Sequence, residues 1–209
     1  MPATILYYTP NSCSLASHIA LEQAGAPYEA RRVDFSRSEQ RSPEYLRVNP
    51  KGRVPALVTE RGILTETPAI LTFIAQSFPA ARLAPFKDAF SLAQMHSFNS
   101  YLCSTVHVAH AHRVRGSRWV DDPGAIEAMK KKVPDSVGAC FELIEREMFQ
   151  GPWVMGSAYS ICDIYLFTLA QWLESDGVDP QRFPNVADHR RRMAEHPAVA
   201  RAMAAERAS

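Results

Sequence analysis

One cysteine stands where a strand gives way to a helix. In residues 7–25, YYTPNSCSLASHIALEQAG, Thr9-Pro10 ends a β-rich run and a helical pattern is established by Leu15. Cys13 is the last loop residue before that helix. The first amides of a helix lack intrahelical partners and carry partial positive charge. A thiol placed there is expected to have a stabilised thiolate and a pKa below the free value of about 8.5. Hydroxyls at Ser12 and Ser14 and phenols at Tyr7 and Tyr8 can donate to such a sulfur. The competing reading is a small buried hydrophobe. That reading is taken for Cys103, Cys140 and Cys162, which lie in helical patterns among large apolar residues.

Two further stretches carry binding chemistry. Val54-Pro55 falls between a loop and a strand. With a cis bond, the Val54 amide and carbonyl would face outward and pair with an extended peptide ligand as an added strand. An ordinary trans proline at a strand start is the alternative. In TETP, Thr65 to Pro68, helix-start amides and the Thr67 hydroxyl can hold a carboxylate, and Glu66 can hold an ammonium beside it. Together they would read an amino-acid head group. Plain helix capping explains the same residues.

These residues need elements to hold them. TILYY reads as a buried strand, and residues 14–24 as a helix stopped by Gly25. Residues 28–33 alternate as a second strand. Residues 43–48 are a short helix at best, and NPKGRVP is loop. Short strands at 56–59 and 63–65 flank an Arg61-Gly62 turn. Thr67 as N-cap and Pro68 at the first helical position open the next helix. The order β-α-β-α-β-β-α fills about the first 78 residues. It predicts a parallel pair with a crossover and an antiparallel edge. Residues 79–87 read as a linker, and 88–209 as all helix. Pro134 predicts a kink or restart near Lys132. Ser160 and Asp163 have capping-box form before an apolar run. The fold class is thus an α/β module, residues 1–78, followed by an all-α domain.

Composition narrows the function classes. Lys+Arg is 23 against 22 Asp+Glu in 209 residues. A net charge of +1 gives no field for nucleic acid or an anionic membrane. No apolar run reaches the roughly 18 residues of a membrane helix. The opening MPATILYYTP lacks a basic n-region and a cleavage site, so no signal peptide is expected and the cytoplasm is the expected compartment. The four cysteines form no CxxC pair. His107, His110 and His112 lack a carboxylate or thiol to complete a tetrahedral set, so no metal is expected. Arg113 is read with His107 as lining a cleft, and the runs at 130–132 and 190–192 as solvated faces.

Taken in order, CSLASHIALEQAG, NPKGRVPAL, LTETPAI, a long helix with Ser104 and His107, and YSICDIYLF closely resemble the cytosolic glutathione S-transferases. The bacterial beta class, with its cysteine at the first helix, is nearest. The resemblance implies a thioredoxin-like first domain, an all-helical second domain with the second-substrate pocket (His110, Arg113), and a homodimer. It implies a glutathione site with Cys13 facing the sulfur and Val54 pairing with the tripeptide backbone. Pro55 is then the cis proline, and Glu66 and Thr67 take the γ-glutamyl end. Ser104 and His107 approach from the helical domain. A basic position falls near Arg37 or Ser38. The implied activity is detoxifying transfer of glutathione to a hydrophobic electrophile, with no cofactor beyond glutathione. A monothiol thiol–disulfide enzyme using Cys13 is the second reading. Ala16 occupies the position of a dithiol partner, which excludes a dithiol cycle. A non-catalytic binding or assembly module is the third.

Overall fold

The computed structural model describes residues 4–208; residues 1–3, within the segment inspected for a targeting signal, and Ser209 lie outside the described residues. The chain starts with β1 (Thr4–Tyr8), α1 (Ser14–Ala24) and β2 (Tyr28–Arg32). It continues with α2 (Pro43–Val48), the hairpin β3 (Ala56–Thr59) and β4 (Gly62–Thr65), and α3 (Thr67–Ser77). The sheet has the order β2-β1-β3-β4. β1 and β2 run parallel, with Leu6 beside Ala30, as a crossover through α1 requires. β3 runs antiparallel to β1 and pairs Leu57 with Leu6; β4 closes the antiparallel edge. This is the parallel pair with an antiparallel edge expected from the alternation, and the thioredoxin-like arrangement that the resemblance implies. Gly25 ends α1 at φ 62°, where a residue with a Cβ is strained.

The remaining elements are helical. They include α4 (Ala89–Tyr101), a π turn (Leu102–Val106), α5 (His107–Arg115) and α6 (Pro123–Leu143), then α7 (Ile161–Ala170), α8 (Pro184–Ala194) and α9 (Pro197–Arg207). No helix among the described residues is long and apolar enough to cross a membrane. α6 runs through Pro134 without the expected restart. Just beyond it the Ser136 hydroxyl donates to the Lys132 and Val133 carbonyls.

The chain forms two compact units. One runs to Leu92 and also takes the chain from Met193 onward; the other is Ala93–Arg192. The last helix, expected in the helical part from 88 onward, therefore packs in the first unit, against α1. In the first unit the core includes Leu6, Ile19, Leu57, Ile70, Leu71 and Ile74, all shielded from solvent. In the second unit α7 is buried all round, as its uninterrupted apolar run predicts. Its capping box forms: Asp163 Oδ2 accepts from the Ser160 amide at 2.8 Å, and the Ser160 hydroxyl oxygen accepts from the Cys162 amide at 3.2 Å. Asp163 Oδ1 also accepts from the Val154 amide at 2.8 Å and lies 3.1 Å from His189 Nε2.

Candidate functional site

Cys13 adopts helical φ and ψ just ahead of α1 and caps nothing with its side chain. Its thiol donates to the Val54 carbonyl at 3.5 Å, and the Thr67 hydroxyl reaches the sulfur. Three positions singled out in the sequence, 13, 54 and 67, thus converge within the first unit. The Val54–Pro55 peptide is cis, and so is Gly151–Pro152, which the sequence reading did not anticipate.

The expected electrostatics are reversed. Burial pushes the Cys13 thiol up to about 11 from its ordinary 9.0; hydrogen bonds from Thr67 and from its own amide, and the charge of Arg53, offset only part of that rise. The first amides of α1 already have acceptors. The amides of Ser14, Leu15 and Ala16 donate to the Ser12 hydroxyl, the Ser12 carbonyl and the Cys13 carbonyl. The array of unpaired amides that was to hold a thiolate is therefore not there. Burial therefore favours the neutral thiol over the thiolate at neutral pH.

The expected hydroxyl donors are occupied elsewhere. Ser12 Oγ donates to the Thr9 carbonyl at 2.7 Å and sits 2.7 Å from Ser14 Oγ. Ser14 is buried and its oxygen accepts from the Thr9 amide at 3.1 Å. Tyr8 is buried, with its ring 5.3 Å from that of His18. These three shape the turn before α1 and the core beneath it.

Glu66, not Thr67, is the residue before the first turn of α3, one position from the expected cap. It adopts φ 74°, unfavourable for a side-chain-bearing residue, and such outliers gather where function holds them. Its carboxylate is exposed and meets the Lys51 ammonium, which also donates to Thr65 Oγ1 at 2.8 Å. Lys51 escaped the sequence reading, which took NPKG as turn alone. Two anchors of the Val54 loop escaped it as well. Tyr45 Oη and Asn49 Nδ2 both donate to the Arg53 carbonyl at 2.7 Å. The signal was present in Asn49, whose side chain also accepts from the Lys51 amide as an Asx turn. Arg37 and Ser38 lie in an exposed turn closed by its own bonds, with Ser38 at φ 57°.

In the second unit, Ser104 is exposed on the π turn and donates to the Ser100 carbonyl at 2.7 Å. His107 begins α5, its ring 5.1 Å from that of Trp172. His110 and Arg113, expected to line a substrate pocket, are held by the buried carboxylate of Asp176. His110 Nδ1 lies 2.7 Å from Oδ2, and Arg113 Nε lies 2.9 Å from Oδ1. The His110 ring stacks on Trp172 at 4.0 Å. A carboxylate 66 positions away was beyond any spacing argument. No group of three or more His, Cys, Asp or Glu among the described residues is placed to hold a metal.

Comparison with known proteins accords with this geometry. Residues 1–76 match the glutathione S-transferase N-terminal domain, and residues 107–197 the C-terminal domain. The chain is 30% identical over 203 residues to glutathione S-transferase GstA of Escherichia coli O157:H7, covering 96% of this chain and 98% of that one. A glutathione transferase homologue from Sulfitobacter, solved with bound glutathione, is 45% identical with a TM-score of 0.93 over 96% of each chain. The bacterial beta class glutathione S-transferase of Sphingomonas chungbukensis is 34% identical with a TM-score of 0.84, covering 97% of this chain and 98% of that one. With both domain models matched in order and the bacterial relatives aligned over nearly their full length, the chain belongs to the glutathione S-transferase family of enzymes.

Proposed function

We propose that this enzyme binds glutathione at Cys13, Val54, Pro55, Glu66 and Thr67 and couples it through its sulfur to a hydrophobic electrophile. The observation that carries the reading is the Cys13 thiol, buried and aimed at the Val54 carbonyl. Burial pushes that thiol up to about 11, which favours a neutral donor over a nucleophilic thiolate at pH 7. As a neutral donor it can instead hydrogen-bond a glutathione thiolate, with the Thr67 hydroxyl as a second donor nearby. The glutathione S–H proton leaves to solvent. The thiolate then forms a C–S bond, expelling halide from an activated aryl halide or adding to a polarised double bond.

In this reading residues 1–78 form the glutathione-binding module, and the helical residues beyond the linker at 79–87, apart from the last helix that packs on α1, build the electrophile's pocket. Ser104 and His107 are its candidate contacts to glutathione, with Arg37 or Ser38 as the basic-position candidates. The enzyme works as a homodimer in the cytoplasm. Replacing Cys13 by Ala tests the assignment. Retained retention on immobilised glutathione, with conjugation of an aromatic halide reduced, supports the donor role. Loss of disulfide reduction with conjugation untouched would assign the thiol to redox chemistry. A wild-type chain that flows through the glutathione matrix removes both.

A further inference from the structure

Two charged contacts of α9 fall on the helix that begins after Cys13. Arg201 Nε donates to Glu22 Oε2 at 2.7 Å, and Arg201 Nη2 donates to the Glu22 carbonyl at 3.2 Å. His18 Nδ1 lies 3.2 Å from Glu206 Oε1. Position 18 pairs with 206 and position 22 with 201, so the two helices run antiparallel. The last turn of α9 therefore lies beside the first half of α1.

Glu206 breaks a local rule, because a carboxylate in the last turn faces the negative end of its own helix dipole. It is also only 7% exposed. A buried carboxylate needs a partner, and His18, 1% exposed, supplies it. The His18 ring is packed against Tyr8 of β1 at 5.3 Å and edge-on to Tyr28 of β2 at 5.6 Å. Tyr28 Oη closes the circuit by donating to Glu22 Oε1 at 2.7 Å. Residues 14–21 of α1 are all buried; close packing resists large shifts, but apolar contact is non-directional and opposes a small axial shift less specifically than a directed bond does. A hydrogen-bonded buried pair does not tolerate it. Cys13 is five residues from His18, about 7.5 Å along the helix. The groups that meet its sulfur, the Val54 carbonyl and the Thr67 hydroxyl, belong to other elements. Their approach to the sulfur depends on where α1 sits along its axis.

We propose that Glu206 is a positioning residue: acting through His18, it sets the axial placement of α1 and so holds the Cys13 thiol between Val54 and Thr67. The inference builds on the glutathione site proposed above, but its first readout needs no glutathione. Full-length Glu206→Leu, Glu206→Gln and wild-type enzymes are alkylated with iodoacetamide, and modification at each cysteine is followed by peptide mass spectrometry. The Glu206→Leu variant is expected to alkylate Cys13 about fivefold faster, roughly the worth of one buried hydrogen bond. The Glu206→Gln variant, which keeps an acceptor for His18, is expected to restore the wild-type rate. Cys162, buried in the other unit, is the internal control; an equal rise there reports general loosening and overturns the proposal. So does an unchanged Cys13 rate in folded Glu206→Leu. If that variant does not fold, Glu206→Asp, which keeps the charge and shortens the reach, decides on the same criterion. A raised Cys13 rate with an unchanged KM for glutathione upholds the positioning role and overturns instead the glutathione reading of Cys13.

Discussion

The Cys13 thiol donates to the main-chain oxygen of Val54 across 3.5 Å, tying the start of the first helix to the loop that precedes β3. The two residues are 41 positions apart. Their contact places a protonated sulfur, rather than a thiolate, at the centre of the site.

That protonation has a pH signature. The folded state raises the Cys13 pKa from 9.0 to about 11, so it holds the proton more tightly than the unfolded chain. The associated stability is fully present below pH 9 and is lost as pH rises from about 9 to about 11, roughly 3 kcal/mol in all. Denaturant unfolding at pH 8 and pH 10.5 is expected to show a steeper decline for wild type than for Cys13→Ala. Parallel declines would refute it.

Thr67 acts on the sulfur through its hydroxyl, which lowers the thiol's pKa. In Thr67→Val the Cys13 pKa is expected to rise further, and alkylation at pH 8.5 to slow by several-fold. The KM for glutathione should rise in parallel. Thr67→Ser, which keeps the hydroxyl, should behave as wild type in both measurements.

Glu66 and Lys51 are paired in the open, at 59% and 46% side-chain exposure. Exposed pairs contribute little to stability, so Glu66→Gln is expected to shift unfolding by less than about 0.5 kcal/mol. The proposed grip on the glutathione ammonium is another matter. Losing one charged hydrogen bond corresponds to roughly a tenfold higher KM, with kcat retained. Steady-state kinetics alongside thermal melts separate the two effects.

Asp163 gathers the Val154 and Ser160 amides and His189 at a fully buried point. Asp163→Ala leaves these groups without their acceptor and is expected to cost about 3 kcal/mol or more. Ser160→Ala, which removes only the hydroxyl of the cap, should cost about 1 kcal/mol. Urea midpoints of the two variants test the order.

Local signals carried much of the architecture. The alternation of strand and helix patterns up to residue 78, the stop at Gly25 and the capping box at Ser160 and Asp163 each arise from a few neighbouring residues, and each is present in the structure. The residues that meet at the sulfur, Cys13, Val54 and Thr67, were legible because each stands at a chain transition. Their order along the chain resembled a known family. Their energetics were not legible. The helix-start argument for Cys13 counted amides but could not see that Ser12 and the Cys13 carbonyl already use them, nor how completely the fold removes the thiol from water. Likewise His110 and Arg113 were read without Asp176, and the last helix without α1. The sequence by itself determined which elements form and which side chains stand at their ends, because hydrophobic periodicity, capping and turn chemistry are set by near neighbours. Only the tertiary structure decided which of those side chains lose water and whom they meet. Desolvation and charge pairing depend on distance in space, and the partners here lie from 41 to 188 residues apart.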